Sequence, residues 1–215
     1  MPAEVKICGL TRAVDAEFAD AAGAAYLGVI FAGGSRERSP DDARATLSGR
    51  RARKVGVFAL QSPSAIADIA THVGLDVLQL HGASDPARVA AVRAATGLEV
   101  WAVVRTATGI LSQDDEELAD SADALLVDAL VPGQLGGSGL TLPWLQLGES
   151  LDAMASGHRV ILAGGLRAEN VAEAIDYVSP MVVDVSSGVE TSPGIKDQNL
   201  VRAFIAAARA TGVNE

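Results

Sequence analysis

A chain of 215 residues, 49% hydrophobic and 20% charged, is long enough to bury a core and too apolar to remain disordered. Its 27 acidic residues against 17 basic ones leave a net charge of −10, which repels phosphate backbones at long range and argues against a nucleic-acid partner. No apolar run approaches the roughly 20 residues of a membrane span, no basic stretch plus apolar core opens the chain, and a single cysteine cannot form an internal disulfide, so a protein of the reducing cytoplasm without a membrane partner is expected.

Taken in chain order, short β-branched runs alternate with Ala-rich stretches of helical period. The first predicted strand is Val5–Cys8, followed by a helix over Ala13–Ala22 with Thr11 ahead of it and Gly23 at its end. Strand two is Ala25–Phe31, and Ser39-Pro40-Asp41-Asp42 opens the second helix. Lys54–Ala59 leads to a third helix that begins at Ser62-Pro63-Ser64 and stops before Gly74. Val77–His81 leads to a fourth, from Ser84-Asp85-Pro86 to just before Gly97. Glu99–Val104 comes next, then the acidic run Asp114–Glu117 as the polar start of a solvated helix. Ala124–Asp128, Arg159–Ala163 and Met181–Ser186 complete the predicted strands. A polar side chain ahead of a helix accepts from its orphan N–H groups, proline fits the first turn, and glycine adopts the left-handed conformation that ends one.

Several strands are almost continuously apolar, such as Val160-Ile161-Leu162, which suits parallel strands covered by helices. Eight strands in 215 residues leave about 27 residues per strand–helix unit, the short end of what a closed barrel uses. An open doubly wound sheet of this length has fewer strands and a GxGxxG fingerprint after the first, whereas here Cys8-Gly9-Leu10-Thr11 follows it. The expected fold is a closed eight-stranded parallel (β/α)8 barrel, the TIM-barrel architecture, forming one catalytic domain over residues 1–215. The Gly-rich segment Gly133–Gly139 is too short to be a second domain.

In such a barrel, active groups lie at the carboxyl ends of the strands. That rule selects Cys8, Ser35-Arg36, His81-Gly82, Asp128, Gly164-Gly165 and Ser186-Ser187-Gly188. The last two sets read as a phosphate cradle after strands seven and eight: bare backbone N–H groups can approach an anion, and a helix N-terminus after Ser187-Gly188 would add positive charge. Tight turns are the plainer reading of the same glycines. Neither loop carries the GxxxxGK[ST] sequence of an ATP-type phosphate loop.

A lone cysteine is usually core filler, but Cys8 sits at a strand exit before Gly9. Lys6, two residues earlier, shares its face, and Asp184 on the neighbouring strand eight is expected to pair with Lys6, whose charge would lower the thiol's pKa. Asp128 ends the apolar run Ala124-Leu125-Leu126-Val127; held in apolar surroundings its pKa rises and it can act as a general acid, the alternative being a structural cap for the loop that follows. Gly133–Gly139 reads as a lid or a simple connector. Arg36 and Arg38 each offer a bidentate partner for a substrate carboxylate. His81 is either a hydrogen-bond donor to substrate or a histidine satisfied by backbone, and His72, His81 and His158 have no metal-ligand spacing, so no metal is expected.

In this order, the pieces VKICGLT, GVIF with its Ser-Arg loop, VGVF, LQLHG, LLVDA…PGQLGGSG, ILAGGL…NV and VDVSSGVETSPGIKD closely resemble the phosphoribosylanthranilate isomerase family of tryptophan biosynthesis, from Val5 to about Asp197. The resemblance implies an Amadori rearrangement of N-(5-phosphoribosyl)anthranilate to 1-(2-carboxyphenylamino)-1-deoxyribulose 5-phosphate. It implies Cys8 as the general base at C2, Asp128 as the general acid at the ribose ring oxygen, and Arg36 on the anthranilate carboxylate; His81 and Asp184, from their places at strand ends, are further substrate-binding candidates. Gly164, Gly165, Ser186, Ser187 and Gly188 would bind phosphate, and no cofactor is needed. The partner is a small phosphosugar, with monomer and homodimer both open. One stretch departs from the family, Ala32–Pro40, where relatives carry Pro-Lys-Ser or similar. Indole-glycerol-phosphate synthase chemistry leans on lysines, and only Lys6, Lys54 and Lys196 occur here. A ribulose-phosphate epimerase would need metal ligands. A second isomerase role in histidine synthesis fits poorly with KICG as the strand-one motif. A catalytically silent phosphosugar-binding barrel is the alternative outside enzymes.

Overall fold

The computed structural model describes residues 2–82, 85–129, 143–154 and 157–211. Its strands are β1 (Glu4–Ile7), β2 (Tyr26–Ile30), β3 (Arg53–Phe58), β4 (Val77–Leu80), β5 (Glu99–Thr106), β6 (Ala124–Ala129), β7 (Val160–Leu162) and β8 (Val182–Val185). They pair in parallel and in chain order, and β8 returns to β1 to close the ring. The helices α1 (Ala13–Ala22), α2 (Pro40–Leu47), α3 (Pro63–Val73), α4 (Pro86–Thr96), α5 (Gln113–Ser121), α6 (Trp144–Ala153), α7 (Val171–Val178) and α8 (Gln198–Ala210) alternate with them. This is the (β/α)8 barrel expected from the spacing. No helix among the described residues is long and apolar enough to cross a membrane.

The local signals act as the chemistry of the caps requires. The side chains of Ser39, Ser62 and Asp85 accept from the backbone N–H groups of Asp42, Ala65 and Arg88, each with proline in the first turn. Gly23, Gly74 and Gly97 end their helices in the left-handed conformation. Ser112 and Asp115 form a reciprocal capping box at the acidic start of α5. Thr11 behaves differently. Arg12 occupies the cap position of α1 without a side-chain cap bond, and the Thr11 hydroxyl instead donates to the carbonyl of Gly194, in the turn of a small hairpin that follows β8. The parts of the reading that fall on residues 83–84 and 130–142, including Ser84 and the Gly133–Gly139 loop, lie outside the described residues.

Strand alternation divides the apolar side chains into two layers. Tyr26, Val55, Val77, Trp101, Val103, Leu126, Ile161 and Val182 fill the barrel interior. Leu27, Val29, Phe58, Leu78, Leu80, Val100, Val127 and Val183 point outward, against Ile66, Val89, Leu147 and Phe204 of the helices. Each fully buried side chain of this size contributes roughly 1.5–3 kcal/mol. At the N-terminal end of the barrel the Tyr26 and Trp101 rings meet edge to face, centroids 5.0 Å apart. At the other end the interior is not filled. A cavity of about 610 Å³ opens there, lined from the ends of β1, β4, β6 and β8 and from the loops beyond β2 and β7.

Candidate active site

Strand parity turns the candidate side chains at the strand ends into the cavity, and the loops beyond β2, β7 and β8 bring in the rest. Lys6 on β1 and Cys8 just beyond it share the inward face, and parallel pairing with β8 sets Lys6 directly opposite Asp184. Lys6 Nζ lies 2.9 Å from Asp184 Oδ2, the pair expected from the sequence. Gly28 in β2 supplies the room: a Cβ there would lie 3.0 Å from Cys8 Sγ and 3.2 Å from Lys6 Cε. Burial draws the Lys6 ammonium down, but Asp184 and then Cys8 outweigh it and hold its pKa above the ordinary value.

The thiol corrects one expectation. Burial pushes the Cys8 pKa up, and although the Lys6 charge pulls it down as reasoned, burial wins and the net shift is upward. Cys8 is 6% exposed, so its thiolate has almost no water to solvate it.

Asp128, the penultimate residue of β6, lies on the inward face with 5% exposure. Its Oδ1 accepts from the N–H of Ala129 at 2.8 Å, and its Oδ2 lies 3.8 Å from His81 Nε2, too far for a direct hydrogen bond. Burial raises its pKa to about 6, with Asp184 adding to the shift while the Ala129 N–H, Arg105 and Lys6 oppose it. A carboxyl group so placed can be proton donor or acceptor near neutral pH. His81 follows β4 on the same face as Gln79, whose Nε2 is 3.4 Å from His81 Nδ1. Asp184 Oδ1, Gln79 Oε1 and Ser186 Oγ are buried at the cavity with no hydrogen-bond partner among the described residues. Unpaired buried polar atoms of this kind point to a polar ligand.

Of the two candidate arginines, Arg36 lines the cavity. Its Nε and Nη2 grip Glu190, at 2.9 Å to Oε1 and 2.6 Å to Oε2 respectively. Glu190 Oε1 also accepts from Lys196 Nζ at 2.7 Å. Gly9 lets this cluster approach: its φ is +72°, and a Cβ would stand 2.6 Å from Arg36 Cδ and 2.9 Å from Ser186 Oγ. The sequence reading did not single out Glu190 or Lys196. Their signal was present in the turn residues Ser192-Pro193-Gly194 between them, which fold back as a hairpin of β9 (Glu190–Ser192) and β10 (Ile195–Lys196).

Gly164, Gly165, Ser186, Ser187 and Gly188 line one side of the same cavity. Gly164, with φ +91°, sits so close to β6 that a Cβ would come within 2.7 Å of the Ala129 nitrogen. The helix expected after Ser187-Gly188 is only a single 3₁₀ turn, Ser187–Val189, because the chain then enters the hairpin and α8 starts at Gln198. The cavity therefore brings together a thiol on β1, a raised carboxyl on β6, an arginine beyond β2 and two exposed-backbone turns beyond β7 and β8.

The chain is similar over nearly its whole length to known proteins. The sequence model of the family described as "N-(5'phosphoribosyl)anthranilate (PRA) isomerase" matches residues 5–207. N-(5'-phosphoribosyl)anthranilate isomerase of Paracoccus denitrificans (strain Pd 1222) is 42% identical, the alignment covering 98% of this chain and 99% of that one. The crystal structure of phosphoribosyl anthranilate isomerase from Thermus thermophilus superposes with a TM-score of 0.84 at 36% identity, covering 96% of this chain and 98% of its own. A phosphoribosyl anthranilate isomerase solved in complex with reduced 1-(o-carboxyphenylamino)-1-deoxyribulose 5-phosphate gives 0.81 at 32% identity, covering 97% and 99%.

Proposed function

The chain belongs to the N-(5'-phosphoribosyl)anthranilate isomerase family, and from that premise we propose that its isomerase reaction is an Amadori rearrangement run by Cys8 as general base and Asp128 as general acid. The observation that supports this is the shared cavity: β1 and β6 are separated only by β7 and β8 on the short way round the ring, so the two groups flank one space large enough for a phosphosugar.

In this reading Asp128 gives a proton to the ribose ring oxygen, the C1–O bond breaks, and the nitrogen lone pair forms the imine. Cys8, as thiolate, then takes the proton from C2, leaving an enolamine; the ketone forms as C1 takes up a proton and the C2 hydroxyl gives one up, so the two protons gained by the ring oxygen and C1 match the two lost from C2 and its hydroxyl. Carbon 1 is reduced and carbon 2 oxidised within one molecule, so the balance closes without an external electron carrier. Lys6, beneath the thiol, stabilises the thiolate that burial disfavours. The amides around Gly164, Gly165 and Ser186–Gly188 hold the phosphate, and their local dipoles act despite an overall charge of −10. Arg36 holds the anthranilate carboxylate, and His81 and the unpaired Asp184 Oδ1 meet the sugar hydroxyls. We assign the enzyme to the cytoplasm, with residues 1–215 acting as one catalytic barrel.

The test is turnover, followed as loss of the anthranilate adduct's fluorescence. Wild type should be active, and Cys8→Ala and Asp128→Ala should each lose kcat rather than raise KM, since both act in the transition state. Near-full kcat in either variant refutes its role.

A further inference from the structure

The hairpin β9–β10 carries buried charges that the proposed proton transfers do not use. Glu190 and Lys196 are cross-strand neighbours, 2.7 Å apart, with side chains 4% and 1% exposed. Two cations, Arg36 and Lys196, thus share one buried carboxylate. The hairpin is itself fastened: the N–H of Lys196 donates to Asp15 Oδ2 at 3.2 Å, and Lys196 Nζ donates to the Ser186 carbonyl at 3.1 Å. One acid thereby links the loop beyond β2 to the turn beyond β8.

Guanidinium geometry gives the arrangement its meaning. The planar group has two edges that can each take a carboxylate, Nε with Nη2 and Nη1 with Nη2. Glu190 occupies the first and fixes the plane, which leaves the second for another anion. The charges also matter. Arg36 with Glu190 alone would be a neutral pair that offers a substrate anion little, and Lys196, whose pKa burial draws down while Glu190 holds it up, adds a second cationic side chain to the cluster.

We propose that Glu190 and Lys196 are positioning residues that hold Arg36 with its Nη1–Nη2 edge presented to the carboxylate on the substrate's aromatic ring. This rests on the assignment of Arg36 made above. The cluster acts through Arg36 on one arm of the substrate, so it governs recognition of the carboxylate rather than the proton transfers.

The experiment compares two ligands by calorimetry: reduced 1-(o-carboxyphenylamino)-1-deoxyribulose 5-phosphate and the same compound without the ring carboxylate. The ratio of their Kd values measures the carboxylate arm alone, because both carry the phosphate. Wild type should prefer the carboxylate. Arg36→Met should abolish the preference, and Glu190→Gln and Lys196→Met should each lower it about 10-fold. In the Arg36→Met background, Glu190→Gln should change the ratio no further. If Glu190→Gln loses affinity for both ligands equally and keeps the ratio, the clamp is overturned while Arg36 keeps its role. If Arg36→Met keeps the ratio, the assignment of Arg36 is overturned and the clamp with it. Should Glu190→Gln fail to fold, Glu190→Asp replaces it: one methylene shorter, it cannot span Arg36 and Lys196 together, and the same fall in ratio is expected, an unchanged ratio again counting against the clamp.

Discussion

The two ends of the barrel handle buried polarity in opposite ways. At the N-terminal end, Glu99 takes hydrogen bonds from Trp101 Nε1 at 2.7 Å, Arg53 at 2.8 Å and Arg159 at 3.1 Å, and Tyr26 donates to Glu4. At the C-terminal mouth, Asp184 Oδ1, Gln79 Oε1 and Ser186 Oγ are buried without partners among the described residues, and the thiol and the Asp128 carboxyl have both been pushed away from their charged forms. Satisfied polar atoms stabilise a fold, whereas unsatisfied ones cost stability and persist where something else is bound. One end is built to stay folded and the other to receive a polar ligand.

That contrast is broken most severely by removing a principal group from each end. At the mouth, Cys8→Ala and Asp128→Ala should each lower kcat by about 10²–10⁴, the usual weight of general acid–base catalysis, with the melting temperature not reduced in step. At the other end, Trp101→Ala removes a fully buried indole and should destabilise by about 3–5 kcal/mol in denaturant titration. Its kcat per folded molecule should stay near wild type. A Trp101→Ala enzyme that folds but has lost turnover would show that the two ends are not separable.

A smaller effect has the opposite sign. Because the folded pKa of Asp128 is raised to about 6, its contribution to stability is complete below the ordinary carboxylate range and is lost as pH rises through 6. Asp128→Asn, strongly slowed in turnover, should therefore be more stable than wild type at pH 7–8, by up to roughly 3 kcal/mol, and the gain should vanish near pH 4. The same groups shape catalysis. With a protonated acid of lower pKa and an ionised base of higher pKa, kcat/KM climbs to a plateau at about pH 6 and falls only where the thiol titrates. In Asp128→Asn the residual rate should keep climbing with pH across that plateau.

Much of this was legible in the sequence, and the reason differs by residue. The eight β-branched runs reveal the barrel because closure needs continuous burial on both faces of every strand, and only the ends move: β5 runs on to Thr106, where Arg105 pairs in register with Asp128. Lys6 opposite Asp184 was readable from parity plus the meeting of first and last strands. The net pKa of Cys8 was not, because spacing reveals a neighbouring charge but not how much water the fold removes. Glu190 and Lys196 were missed for a related reason. The contact that gives them a role, Arg36 with Glu190, spans 154 residues, and no local period records such a contact. The unpaired oxygens at the mouth were invisible too, since an absent partner leaves no pattern in a chain.

The smallest effect tests whether the satisfied end is as ordinary as it looks. Glu99 is partly buried, and burial alone would raise its pKa, but Trp101, Arg53 and Arg159 outweigh that and bring it below the ordinary value. The sign is the reverse of Asp128: Glu99 contributes stability above the ordinary carboxylate range and loses it as pH falls through its depressed folded pKa. Glu99→Gln keeps the shape and a carbonyl oxygen for the indole N–H but gives up the charge between two arginines. A cost on the order of 1 kcal/mol is expected at pH 7, since both arginines remain about two-fifths exposed and can turn to water, and the cost should shrink toward pH 3. Denaturant titrations of Glu99→Gln and Asp128→Asn at matched pH should thus move in opposite directions from wild type above pH 6 and converge on it in acid, and two variants moving in the same direction would show that burial, not pairing, governs the carboxylates at both ends.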